Sequence, residues 1–163
     1  MHLHAEQRFP AAPDEVATML ADPAFVRRWC EATHASGVTV SLDGAPPKPF
    51  TVSTKRAYPT DSFPSLARRL VGDALEISQT DRWSAAGDGT WAGQSDVAAT
   101  GVPARMLARV SLVPDGDMTR QVVDGDLTAS IPLVGAKLES LMSDAITGAL
   151  AVMELVGRDW LMR

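Results

Sequence analysis

The sequence predicts an α+β fold, with strands first and one long helix at the end for them to wrap. Three observations carry this. From Ile131 to Arg163 apolar residues recur at three- and four-residue steps, the period of one helix face. Between Gly37 and Ala129 the rhythm is alternation, in short segments punctuated by Gly, Pro and Asp. Near the N-terminus, Pro13-Asp14-Glu15 and Asp22-Pro23 each open a short helix after a first strand.

Composition sets the outer bounds. A chain of 163 residues reads as one domain, large enough to bury a good core. Hydrophobic residues at 45% and charged residues at 21% exclude a disordered chain. The net charge of −5, with no Lys/Arg run, argues against a nucleic-acid partner. The single Cys30 excludes an internal disulfide and fits a reducing cytoplasm. Met1 to Pro10 carries His, Glu and Arg and no apolar run, so no signal peptide is expected.

Leu3 to Phe9 reads as the first strand, ended by Pro10. In the first short helix Val16, Met19 and Leu20 form the apolar face, with acids at the positive end of the dipole. In the second, Asp22 is the cap and Phe25, Val26 and Trp29 are the buried face. Gly37 to Leu42 is a short β-branched strand, followed by the stiff loop Ala45-Pro46-Pro47-Lys48-Pro49. In the next strand Phe50, Val52, Thr54, Arg56 and Tyr58 share one face. Ser65 to Val71 is a helical turn or two, closed by Gly72. In Leu75 to Ser84, alternation sets Leu75, Ile77, Gln79, Asp81 and Trp83 together. Ala86-Gly87-Asp88-Gly89 signals a hairpin into Thr90 to Thr100, where Trp91 and Gly93 share a face. Gly101 marks a bend, and Arg105 to Val113 alternates again, with Met106, Ala108, Val110 and Leu112 on the apolar side. Thr119 to Ala129 is the last strand, with Gly125 read as a bulge.

The terminal helix is expected to start at Pro132 with Ser130 as its cap. Its stripe reads Val134, Leu138, Leu141, Met142, Ala145, Ala149, Val152, Met153, Val156 and Trp160, with Lys137, Ser140, Asp144, Thr147, Glu154 and Arg158 opposite. At about 1.5 Å per residue it would be about 45 Å long and would cross the whole fold. Its uncharged run, Ala145 to Met153, is far short of the roughly 20 residues a bilayer needs, so no membrane span is expected.

This order resembles the START-like, or helix-grip, superfamily, which includes the birch-pollen-allergen type proteins and polyketide cyclases. The early pattern Phe9…Pro13-Asp14-Glu15-Val16…Met19-Leu20…Asp22-Pro23-Ala24-Phe25 and the closing helix carry the likeness. Phe63-Pro64…Leu70-Val71-Gly72-Asp73, Gln79-Thr80-Asp81-Arg82-Trp83 and Ile131-Pro132-Leu133-Val134-Gly135 are similar to an actinobacterial family of unknown function within that superfamily. The resemblance spans essentially the whole chain. It implies a curved antiparallel sheet gripping the terminal helix over an apolar cavity. It implies no single activity, because members include carriers, enzymes and partner-binding modules.

Catalytic and metal signatures are sparse. His2 and His4 share a strand face, but a metal site would need a third ligand from His34 or Glu31; they read as a solvated strand end, and no metal or other cofactor is expected. Asp115-Gly116-Asp117 and Asp124-Gly125-Asp126 lack the further acids of a calcium loop. Cys30 reads as buried and inert. The informative pair is Gln79 and Asp81, which point inward if Ile77 and Trp83 do, where polar groups need partners. Arg56 and Tyr58 are candidates to supply them. The expected cavity residues are Arg56, Tyr58, Ile77, Gln79, Asp81, Trp83, Trp91, Met106, Leu138, Met142, Ala145, Ala149 and Met153. The expected ligand is a small apolar or amphipathic molecule, with a long or fused-ring body fitting the pattern. Two alternatives stay open: an enzyme of cyclase, dehydratase or hydrolase type using Asp81 as acid/base, and a partner-binding module. The sequence leaves the oligomeric state open.

Overall fold

The computed structural model describes residues 1–163. The chain runs β1 (His2–Phe9), α1 (Pro13–Leu20), α2 (Pro23–Ala32), β2 (Ser36–Gly44), β3 (Phe50–Pro59), α3 (Ser65–Val71), β4 (Ala74–Ala85), β5 (Trp91–Ala99), β6 (Ala104–Asp115), β7 (Met118–Ala129) and α4 (Gly135–Leu161). The seven strands form one curved, open antiparallel sheet in the order β1-β7-β6-β5-β4-β3-β2. β2 to β7 are a meander, and β1 returns beside β7, with Gln7 opposite Gln121. The sheet lies over α4, which packs on β1, β7 and α2. This is the α+β helix-grip architecture that the sequence predicts.

Local chemistry explains the elements. Asp22 caps α2 through a 2.9 Å bond from the Ala24 N–H, with Pro23 at the first helical position. Gly72 ends α3 at φ +80°, a conformation that side chains resist. Alternation settles the strand faces: on β6, Met106, Ala108, Val110 and Leu112 are buried, and Arg105, Leu107 and Arg109 are exposed. The centre of the core seals Phe9, Val16, Phe25, Trp91, Leu112 and Leu127 from water.

Three expectations about these elements are corrected. Helix α4 starts at Gly135, not Pro132, and neither Ser130 nor any other side chain caps it. Leu133 adopts φ +72°, which breaks the helical path, and a Cβ on Gly135 would lie 2.5 Å from the Ala129 carbonyl oxygen. The helix therefore begins where a residue without a side chain can sit on the end of β7. Gly125 is not a bulge: β6 and β7 pair in continuous register, and its Cβ would lie 2.6 Å from Ala108. It is a point of close strand approach. The buried stripe of α4 is also rotated from the expected one. Leu138, Leu150, Met153 and Gly157 are buried, while Ala145 is exposed. By length and composition α4 could cross a bilayer. In this fold it is the helix that the sheet grips.

Candidate functional site

Beneath the curve of the sheet, between β3–β7 and helices α2 and α4, lies a cavity of about 70 Å³. Most of its wall is apolar: Leu20, Phe25, Val26 and Trp29 from the helical corner, Val52, Trp83, Val97, Met106, Val110 and Val123 from the sheet, and Ile146, Ala149, Leu150 and Met153 from α4. Five polar side chains interrupt it: Arg56, Gln79, Asp81, Ser95 and Gln121.

Register brings the first of these together. Thr54 pairs with Gln79, and Val52 with Asp81, across β3 and β4. Because alternate residues share a face, Thr54, Arg56, Gln79 and Asp81 form one inward-facing group. Arg56 is 7% exposed, so its charge is held in the interior. Its guanidinium donates to Tyr58 Oη at 3.0 Å, to Thr54 Oγ1 at 2.9 Å and to Gln79 Oε1 at 2.8 Å. It also lies 5.6 Å from the centre of the Trp29 ring, within cation–π range. Gln79 then donates from Nε2 to Asp81 Oδ2 at 2.9 Å. Arg56 and Asp81 make no direct ion pair; the amide relays between them.

Asp81 is the unusual member. Its backbone is on a half-buried strand segment, yet its Oδ1 is sealed from solvent and accepts no hydrogen bond. Burial pushes its carboxyl above the usual range, while the Ser95 hydroxyl opposite it on β5, the Gln79 amide and the Arg56 charge pull the other way. On the far side of the cavity Gln121 is 4% exposed, donates weakly to Met153 Sδ at 3.8 Å, and leaves its Oε1 equally unpartnered. Trp29 fixes α2 to α4 by donating from Nε1 to the Ala149 carbonyl at 2.8 Å. The Cys30 thiol nearby is buried, and burial raises its pKa.

Of the residues expected at the cavity, the structure places Arg56, Gln79, Asp81, Trp83, Met106, Ala149 and Met153 on its wall. Tyr58 stands behind Arg56, bonded to it and to Thr33 at 2.8 Å. Ile77 and Met142 pack between the main core and a smaller cluster of Leu75, Ala99, Ala104 and Leu138, so Leu138 too is off the wall. Trp91 is sealed elsewhere, against Phe50 and with its Nε1 donating to Asp14 Oδ1 at 2.8 Å. Ala145 faces solvent at the edge of the helix turned from the sheet. Sequence reasoning missed Ser95, Gln121, Ile146 and Leu150. Gln121 and Ser95 were within reach of it, because they alternate in phase with Val123 and with Trp91. The step of four from Leu138 through Met142 to Ile146 and Leu150 was also there to be followed.

His2 and His4 stand on the outer face of β1 beside Asp124, Asp126 and Glu6, with His4 Nδ1 3.0 Å from Asp124 Oδ2. His34 and Glu31 do not join them, and no group of three or more His, Cys, Asp or Glu side chains is placed to hold a metal.

Residues 4–161 match the family model of a protein of unknown function, DUF2505. The chain belongs to that family. None of the curated proteins matches this DUF2505 member. Among solved structures, the protein TTHA0849 from Thermus thermophilus is similar over 96% of this chain and 97% of its own, at 15% identity and a TM-score of 0.64. A STAR-related lipid transfer protein from Xanthomonas axonopodis is similar over 98% of this chain and 85% of its own, at 19% identity and a TM-score of 0.62. Norcoclaurine synthase from Thalictrum flavum is similar over 100% of this chain and 87% of its own, at 13% identity and a TM-score of 0.59. At these identities the likeness is one of fold: DUF2505 here has the START-like, helix-grip form.

Proposed function

We propose that this DUF2505 protein binds a small apolar or amphipathic molecule in the cavity, with the ligand's polar head toward Arg56, Gln79 and Asp81. The observation that supports this most is the buried relay itself. A charged side chain and a carboxylate with an unpartnered oxygen are costly to keep in an apolar wall. Few polar groups in an apolar enclosure is also how small-molecule sites fix orientation. The likeness of fold to a STAR-related lipid transfer protein is consistent with it.

Size limits the ligand. A cavity of about 70 Å³ is well below the roughly 300–1,000 Å³ of drug-sized pockets. A long or fused-ring body therefore fits only if the wall parts, and Met106 and Met153, both flexible, are the side chains suited to yield. The reading places the protein in the cytoplasm, where a lone free Cys30 is stable.

Titration with an uncharged, environment-sensitive dye tests the proposal, with native mass spectrometry of gently purified protein to look for a retained small molecule. Saturable dye binding is expected. Ala149→Phe, which fills the cavity beside Trp29, should weaken it more than it lowers the melting temperature. Well-folded protein with no saturable binding would overturn the reading. Interest would then pass to partner binding through Leu66, Leu70 and Leu133, which are exposed.

A second reading is acid–base catalysis on the bound molecule by Asp81. The raised pKa of its carboxyl, in a water-poor cavity, favours it. Asp81→Asn should then leave dye binding intact and abolish turnover.

A further inference from the structure

Resting on the ligand reading above, we infer that the bound molecule presents an uncharged hydroxyl group to Asp81 Oδ1, so the ligand class is an alcohol rather than an acid or an amine.

The hydrogen-bond pattern of the cavity carries this. Arg56 uses three of its five N–H groups on Tyr58, Thr54 and Gln79, and Gln79 uses one of its two amide N–H groups on Asp81 Oδ2. What remains unpartnered and sealed from water is acceptor: Asp81 Oδ1 on β4 and Gln121 Oε1 on β7. Both side chains line the cavity, and both oxygens are sealed from solvent. A complementary ligand must donate.

Charge then narrows the donor. A carboxylate head would bring acceptors against acceptors. It would also set a second carboxyl group beside that of Asp81 in the same small enclosure. An ammonium head would bring three donors into an enclosure that offers two free acceptors. Attraction to the Asp81 carboxyl is opposed by the Arg56 charge across Gln79 and by the loss of hydration in a mostly apolar space, and the third N–H is left without an acceptor. A hydroxyl needs one acceptor, which Asp81 Oδ1 provides. It is also compact enough for a cavity of about 70 Å³, where a head group and a few carbons fill the space.

The test compares four probes with the same six-carbon body: n-hexanol, n-hexylamine, hexanoate and n-hexane. Each competes at neutral pH against the dye, on the full-length protein. The expected result is that n-hexanol displaces dye at a concentration roughly tenfold below the amine or the carboxylate, the size of one well-made hydrogen bond. Asp81→Asn, which keeps shape, should weaken n-hexanol roughly tenfold and leave n-hexane unchanged; Gln121→Leu should keep the preference for the alcohol. Hexanoate or hexylamine as the tightest probe would overturn the inference, as would an alcohol preference that survives Asp81→Asn. Equal displacement by all four would overturn it while leaving the cavity reading intact. No binding of dye or of any probe would remove both.

Discussion

Asp81 and Asp96 stand on adjacent strands and face opposite sides of the sheet, and the sheet treats them in opposite ways. Asp96 is on the outer face. It takes a two-pronged contact from Arg105, through Nε at 2.8 Å and through Nη2, and that contact pulls its carboxyl below the usual range. Asp81 is on the inner face. It reaches its arginine only through Gln79, keeps one oxygen bare, and burial pushes its carboxyl up. Both sites contain the same two residue types. What differs is the medium. On the outer face water hydrates each charge, so a direct pair forms without a large desolvation cost and adds little. On the inner face the desolvation cost is large, and an indirect, incompletely satisfied arrangement persists only where something else favours it. Charge pairing on the outside of this protein is ordinary surface chemistry, and the inner group is the one on which the proposed ligand reading rests.

The largest expected effect comes from breaking the inner group. Arg56→Met strips the donor from Thr54, Tyr58 and Gln79 and leaves Asp81 without its counter-charge. A loss of about 3–5 kcal/mol is expected, as for other buried pairs deprived of one partner. Thermal melts should show a drop of roughly 10 °C at this chain length. A drop no greater than that of a surface arginine would mean that the inner group is not electrostatically coupled.

A smaller effect, with a definite sign, comes from Asp81→Asn. The folded-state pKa of Asp81 lies above its unfolded value of about 3.9, so between the two the folded protein holds a proton that the unfolded chain has lost. Stability therefore falls as pH rises through that window. The Asn variant has no such proton to lose. It should be more stable than the parent at neutral pH, and the gap should close on acidification. Urea melts over a pH series check this. Asp96, with its lowered pKa, slopes the other way: its contribution is present at neutral pH and is lost as pH falls. Parallel slopes for the two aspartates would break the comparison.

The smallest effect belongs to Arg105→Met. Its side chain is about half exposed, so the melting temperature should barely move. What shift there is should vanish in about 1 M salt, where the Debye length is about 3 Å. Salt should leave the Arg56→Met deficit largely in place, because buried charges are little screened.

Much of the inner face is legible in the order of residues alone. Gln79 and Asp81 are in phase with Ile77 and Trp83, and Arg56 with Phe50 and Val52, so period-two alternation by itself turns them inward. The two helical starts are legible in Pro13 and in Asp22-Pro23, because capping chemistry is local. The start of α4 is not. Pro132 is a good first-turn residue in isolation, but the helix waits for Gly135 because the end of β7 is 2.5 Å from where a Cβ would be. Trp91 fails as a cavity residue for a similar reason: it is buried, but against Phe50. Hydrophobic periodicity says that a residue is turned from water, or nearly so, and is silent on which other segment it meets.

The sequence by itself determined which strand side chains face the interior and the order of the elements, since both follow from spacing and residue type along a few turns or strands. Only the tertiary structure decided the relay from Arg56 through Gln79 to Asp81, which depends on the register that sets Thr54 against Gln79. It alone decided the size of the cavity too. That size is set by how closely α4 approaches the sheet and α2. Gly157 lies flush on the ring of Phe9, where a Cβ would come within 2.5 Å, and Trp29 is tied to the Ala149 carbonyl. Those contacts join residues more than a hundred positions apart, and no local pattern encodes the distance between them.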